Sequence, residues 1–355
     1  MKLPELRIGD LVARVPIIQG GMGVGVSRSK LAGAVAKEGG IGIISTAQIG
    51  FDEPDFETNT KEANLRSLEK HIKEAKKISN NGIIGINIMT VTNFYKENVK
   101  KAIDSGIDLI ISGAGLPKEL PKLVEGTKVK IAPIISSARG AVLMIKLWAK
   151  QNHIPDMIVV EGPEAGGHLG FSIEELEEKK SIFNIAKEVI EKVKEFEIEF
   201  NKKIPVVVAG GIYSGKDIAK CLKTGAAGVQ IASRFVATEE CDADEKFKQA
   251  YVNAKKEDVQ IVKSPVGMPG RAIRNEFIER VENENIKPEK CLGCIKVCNP
   301  LETPYCITKA LINSVKGNIK EGLIFCGSNV SKINKIVTVK ELMDELKKEA
   351  ELCYE

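Results

Sequence analysis

A histidine set among glycines carries the clearest chemical signal in this 355-residue sequence. His168 lies in Glu161-Gly162-Pro163-Glu164-Ala165-Gly166-Gly167-His168-Leu169-Gly170, directly after an apolar run. The chain holds 3 histidines, and the others, His71 and His153, lie in or near helix-like stretches. An imidazole with an unperturbed pKa of about 6.5 can take or give a proton at neutral pH, as a general base or acid must. A satisfied structural histidine is the plain alternative, but a glycine-flanked loop is an awkward place for one, so His168 is the candidate catalytic residue.

Three glycine-bearing turns also follow apolar runs. Gln19-Gly20-Gly21-Met22-Gly23-Val24-Gly25 could bring backbone N–H groups against a planar or phosphorylated ligand, although it lacks the final G-x-x-G step of the dinucleotide fingerprint. Ala209-Gly210-Gly211-Ile212 and Gln230-Ile231-Ala232-Ser233-Arg234-Phe235 form a pair of small-residue loops late in the chain, where parallel barrels commonly hold a phosphate. Tight helix-to-strand packing is the competing explanation for these small residues.

Cys291, Cys294, Cys298 and Cys306 read C-x2-C-x3-C-x7-C. Four thiolates at this spacing can surround a tetrahedral zinc or an iron–sulfur cluster, with Pro300 and Pro304 stiffening the loop. Thiols without metal remain a third reading. Cys221, Cys241, Cys326 and Cys353 are scattered and read as ordinary residues, and 8 cysteines in so long a chain do not make a disulfide scaffold.

The elements that must position these groups alternate regularly. Apolar, β-branched runs occur at Pro16 to Gln19, Ile41 to Ser45, Ile83 to Met89, Leu109 to Ser112, Ile131 to Ser136, Met157 to Glu161, Pro205 to Ala209 and Gly228 to Ala232. Between them lie helix-like stretches, Ser29 to Glu38, Glu62 to Ser79, Glu97 to Ser105, Ala138 to Lys150, Asn184 to Phe200 and Gly215 to Thr224. Gly39, Gly82, Gly106 and Gly225 follow four of these, where a left-handed residue would end the helix. Strands alternating with helices in this number predict an α/β fold, a closed (β/α)8 TIM barrel over residues 1–255, with reactive groups where strands end. The Lys- and Glu-rich stretch Ser172 to Lys203 reads as a solvated helix face. Residues 256–355 read as a C-terminal, mostly helical extension packed on the barrel, with helices at Ile307 to Lys316 and Val339 to Leu352.

Composition narrows the function. Lys and Arg number 52 against 48 Asp and Glu, a formal charge of +4 with no arginine-rich block, which argues against a nucleic-acid partner and for a small-molecule substrate. No apolar run is long enough to span a bilayer, and MKLPELRIGDLV lacks the apolar core of a signal peptide, so the expected location is cytoplasmic. A homodimer is compatible with the sequence. No His-x-His or paired carboxylates stand at the strand ends, which disfavours a metal-dependent hydrolase.

Taken together, Ile18 to Gly23, Gly85-Ile86-Asn87, Glu161 to Gly170, Ala209 to Ile212 and Gly228 to Phe235 resemble the FMN-dependent barrel enzymes of the nitronate monooxygenase (2-nitropropane dioxygenase-like) family, which includes flavin-type enoyl-acyl-carrier-protein reductases. The resemblance implies that Gly21, Met22 and Gly23 face the isoalloxazine and that Asn87 hydrogen-bonds it. It places the FMN phosphate on Gly210, Gly211, Ala232 and Ser233 with Gln230 nearby, and implies that Gly166 and Gly167 let His168 approach the flavin. Family members more often carry Gly-Thr where this chain has Ala232-Ser233; backbone N–H groups and a hydroxyl survive the change.

The resemblance implies either of two reactions. In the first, a nitronate is oxidised with dioxygen, His168 deprotonates the neutral nitroalkane and no nicotinamide is needed. In the second, NAD(P)H supplies the hydride for reduction of an enoyl thioester or quinone, and His168 assists protonation. A non-catalytic flavin-binding sensor is the reading from a different class. The cysteine motif itself resembles the four-cysteine segment of the dienoyl-CoA reductase branch of old yellow enzymes, with a shorter final gap; an iron–sulfur cluster there would favour the reductase.

Overall fold

Short runs of β-branched residues become the strands of one barrel. The computed structural model describes residues 2–354. In chain order its strands are β1 (Leu6–Ile8), β2 (Leu11–Ala13), β3 (Ile17–Gln19), β4 (Gly42–Ser45), β5 (Ile84–Met89), β6 (Leu109–Gly113), β7 (Lys130–Ile135), β8 (Ile158–Glu161), β9 (Gly167–His168), β10 (Val206–Ala209), β11 (Gly228–Ile231), β12 (Val259–Lys263) and β13 (Pro269–Ile273). Eight of them form a parallel sheet in the order β3-β11-β10-β8-β7-β6-β5-β4. The bridge Ile18↔Ile41 and the bond from the Gln19 N–H to the Ile41 carbonyl (2.9 Å) bring the two ends together. The predicted TIM barrel is the fold observed, each predicted apolar run supplying one barrel strand to within two residues at either end.

Alternation along the strands separates two apolar layers. Ile43, Ile111, Val159 and Val207 point inward and pack with Leu6, Ile8 and Ala13 of the β1–β2 hairpin, which closes the barrel floor. Ile44, Ile110, Val160 and Val208 point outward against the helices. The Lys- and Glu-rich segment is solvated on one face only, since the helix Ile182–Phe200 buries Ile185, Val189, Ile190, Val193 and Phe196 against the barrel. Gly39, Gly106 and Gly225 adopt positive φ as expected. Gly82 does not: Asn80 (φ 52°) and Asn81 (φ 62°) make that left-handed turn, a conformation asparagine tolerates through its short polar side chain.

The chain beyond the barrel returns to its mouth. β13 pairs antiparallel with both β12 and β9, so the extension is hydrogen-bonded to the loop that carries His168. The segment around the cysteines lies along the loop after β5, through Asn93 N–H to the Cys294 carbonyl (3.1 Å) and Lys296 N–H to the Val91 carbonyl (2.8 Å). The final helix, Val339–Tyr354, packs on the helices Gly215–Lys223 and Ser29–Lys37, with Glu349 accepting the Gly215 N–H at 2.7 Å. Among the described residues no helix is long and apolar enough to cross a membrane.

Candidate active site

At the carboxyl ends of the strands lies a cavity of about 430 Å³. Gly21, Met22 and Gly23 border it after β3, and Asn87 borders it from β5. Gly166, Gly167 and His168 face it after β8, Gly210 and Gly211 after β10. Gln230, Ala232 and Ser233 complete the ring from β11 and the turn that follows. Every predicted catalytic and cofactor residue therefore meets the others around one space, although they are spread from position 21 to 233.

Packing dictates part of this. A Cβ on Gly21 would collide with Cβ of Asn87, and one on Gly23 would lie 2.8 Å from both Ser45 Oγ and Ala47 Cβ. The first turn is thus glycine-rich because it is pressed against β4 and β5, a reason the sequence alone does not supply. Gly167 is different: a Cβ there would meet no atom within 4 Å, so its face is open, and it is the backbone, at φ +70°, that needs glycine.

His168 is held from the extension. Gly270↔His168 and Arg271↔Gly167 are register partners, and Leu169 donates to the Pro269 carbonyl at 2.8 Å. The imidazole Nε2 lies 2.8 Å from Ser264 Oγ, and the Phe325 ring stands edge-on to it with centroids 4.9 Å apart. Burial pushes its pKa down to about 4. The ordinary value assumed from sequence is thereby corrected: no charged group lies close enough to offset desolvation, and the ring is neutral at pH 7. Arg271, on the adjacent strand, instead donates to the Ala165 carbonyl.

Sequence reasoning left out several wall residues. Glu161, the last residue of β8, lines the cavity, and burial pushes its carboxyl up to about 7. Gly327, Ser328 and Asn329 come from the extension: the Gly327 N–H donates to Ser233 Oγ (2.9 Å) and Asn329 Nδ2 to the Gly211 carbonyl (2.8 Å). Ser328 Oγ is buried with no hydrogen-bond partner among the described residues. The signal for this turn was faint, a Gly-Ser-Asn following Leu323-Ile-Phe-Cys. These groups fit a phosphorylated, partly apolar ligand: an orphaned hydroxyl stands beside the Gly210-Gly211 and Ala232-Ser233 turns, and Met22 and Met89 offer apolar surface farther in.

A sequence model of the family described as nitronate monooxygenase matches residues 6–349. The chain belongs to the nitronate monooxygenase family. A probable nitronate monooxygenase of Staphylococcus saprophyticus is 26% identical over 79% of this chain and 81% of its own length. A Rhodococcus jostii protein named (3aS,4S,5R,7aS)-5-hydroxy-7a-methyl-1-oxo-octahydro-1H-indene-4-carboxyl-CoA dehydrogenase is 24% identical over 93% and 90%. Among solved structures, FabK from Thermotoga maritima superposes with a TM-score of 0.74 at 25% identity, covering 95% of this chain and 93% of that one. A nitroalkane oxidase from Streptomyces ansochromogenes shares the fold (TM-score 0.73, 19% identity, 96% of both chains).

Nitronate monooxygenase family members are flavin-dependent oxidoreductases acting on small molecules, and the cavity is where such chemistry belongs in a TIM barrel. Among the described residues no three His, Cys, Asp or Glu side chains are grouped to hold a metal, and Cys291, Cys294, Cys298 and Cys306 are all free thiols. The expectation of zinc or an iron–sulfur cluster finds no support among the described residues. Cys291 is exposed, and burial raises the Cys294 and Cys298 thiols above their ordinary pKa. Cys294 and Cys298 instead pack against an apolar cluster with Ile295, Tyr305 and Ile307.

Proposed function

We propose that this chain is an FMN-dependent nitronate monooxygenase that oxidises alkyl nitronates with dioxygen, with His168 as the base that admits neutral nitroalkanes. The observation that carries the reading is a half-buried imidazole, held by Ser264, on the same cavity as a turn with an orphaned hydroxyl. Gly210, Gly211, Ala232 and Ser233, with Ser328 added from the extension, would hold the phosphate. Gly21, Met22, Gly23 and Asn87 would border the ring, with Gln230 between the two ends, and the open face at Gly166 and Gly167 gives His168 its approach. When bound, FMN would supply the electron transfer between substrate and dioxygen. The protein's own part is to orient the substrate, exclude water and hold the proton at the imidazole. NAD(P)H has no role in this reaction.

The test is anaerobic mixing of the purified flavoprotein with a nitronate, a neutral nitroalkane, and NADH or NADPH in separate experiments. Bleaching of the yellow colour by the nitronate supports the proposal. Rapid bleaching by a reduced nicotinamide, with an inert response to nitronate, supports an enoyl-thioester or quinone reductase instead. The likeness to FabK over nearly the whole chain is the observation that favours this second reading.

A further inference from the structure

The loop between β12 and β13 places a hydroxyl against the imidazole of His168. Ser264 Oγ lies 2.8 Å from Nε2 of His168 and accepts the Val266 N–H at 3.3 Å. Its backbone is fixed separately. The Ser264 carbonyl accepts the Gly267 N–H (2.9 Å) in a turn where Gly267 has φ +82°, and the Tyr305 hydroxyl donates to the neighbouring Lys263 carbonyl at 3.0 Å. Nδ1 of His168 makes no hydrogen bond among the described residues, and the residue lines the cavity, so Nδ1 is the nitrogen available to a substrate.

Building on the nitronate monooxygenase reading, we propose that Ser264 is a positioning residue that lets His168 alternate between tautomers. With one lone pair engaged by Val266, the Ser264 hydroxyl keeps one proton to give and one lone pair to receive. When the hydroxyl donates to Nε2, the ring proton sits on Nδ1 and faces the cavity. When Nε2–H donates to Oγ, Nδ1 is bare and faces the cavity as a base. Exchange of the two states needs one proton to leave Nδ1 for water in the cavity while another reaches Nε2 from water through Oγ; rotation about the Cβ–Oγ bond then keeps the hydrogen bond in both states, which a carboxylate or carbonyl at the same place would not allow because neither can donate.

The proton balance for a neutral nitroalkane follows. The C–H bond next to the nitro group breaks, its electron pair stays with the substrate as nitronate, and the proton bonds to Nδ1. The resulting imidazolium returns to neutrality by giving its Nε2 proton to Oγ, while the hydroxyl's own proton passes to water; the base form is restored when the Nδ1 proton leaves to water and Nε2 takes one back from water through Oγ. Ser264 is half-buried and lies between the exposed Lys263 and Gly267, so its turn reaches solvent. The net transfer is one proton from carbon to water, with no change of oxidation state in either residue.

Two readouts test this in the full-length FMN-loaded protein and in the flavin-free protein. For turnover, Ser264→Ala is expected to lose about 10- to 100-fold with a neutral nitroalkane, within the range of general acid–base effects, while a preformed nitronate is turned over within about twofold of the unsubstituted protein, since no C–H bond need be cleaved. Ser264→Thr, which keeps the hydroxyl, should restore the neutral substrate. For the tautomer, ¹⁵N-histidine labelling with His168 assigned through His168→Gln should show Nδ1 and Nε2 shifts averaged between tautomers, collapsing to a single tautomer in Ser264→Ala. Equal loss on both substrates, no loss on either, or ¹⁵N shifts identical in the variant would overturn the proposal. If the unsubstituted protein turns over neither substrate, the monooxygenase reading fails, and the ¹⁵N shifts of the flavin-free protein still decide the role of Ser264.

Discussion

Asp242 Oδ2 accepts the backbone N–H of Arg28 at 2.8 Å, joining the turn after the last barrel helix to the start of the first. The same carboxylate also receives the N–H groups of Lys30 (3.3 Å) and Leu31 (3.2 Å), so it satisfies the otherwise free amides of the helix Ser29–Lys37. Arg28 turns its guanidinium the other way, onto both oxygens of Asp52 and the Ile49 carbonyl. This ties the closing seam of the barrel immediately beside the Gly21–Gly25 turn. Asp242→Ala should cost about 2 kcal/mol of stability, as expected when a buried helix cap is removed. Urea unfolding of the two proteins checks it; an unchanged midpoint would mean that water replaces the cap.

His168→Ala should lower turnover of a neutral nitroalkane by about 100-fold or more while FMN stays bound, because the imidazole serves the proton and not the phosphate. Flavin absorbance after desalting measures retention. The pH dependence has a definite sign. Burial holds the imidazole pKa down to about 4, so His168 is deprotonated and competent from pH 5 upward, and kcat/KM should show no histidine-like fall between pH 7 and 5. A fall with a midpoint at about 6.5 would mean that the loaded site is wetter than the structure shows.

How much of this was legible in the sequence depended on range. The barrel strands stand out because each is a short β-branched run bounded by glycine or polar residues, and the loops after them could be placed without a structure. Ser264, Phe325 and Ser328 could not. Each lies on a stretch with no helical or alternating period, and each reaches the site only because β13 pairs with β9 across about 100 positions. The environment of His168 was equally invisible, since the ring's desolvation comes from Phe325 and the β12–β13 loop.

Ser328→Ala should weaken FMN binding about tenfold, the loss of one hydrogen bond to a charged phosphate. Riboflavin, which lacks the phosphate, provides the control and should bind the variant and the unsubstituted protein equally well. Fluorescence titration with both flavins measures the difference. A parallel loss for riboflavin would place Ser328 at the ring instead.

Glu161 offers a test that needs no substrate. Its carboxyl is pushed up to about 7 in the folded protein, against an ordinary value of about 4.5, so the folded state holds its proton more tightly than the unfolded chain does. The stabilisation from that proton is complete below pH 4.5 and is lost as pH rises through 7, since between these values the folded state binds more protons than the unfolded one. Glu161→Gln keeps the shape of the protonated acid and cannot ionise. Relative to the unsubstituted protein it should therefore gain stability from pH 5 to about pH 7 and level off above that, by on the order of 2 kcal/mol across the window. Flavin-free protein should be used for these unfolding curves, so that ligand binding does not add its own pH dependence. A difference that stays constant with pH would show that the carboxyl finds water or a partner in the cavity, and that Glu161 is ionised at the mouth of the barrel.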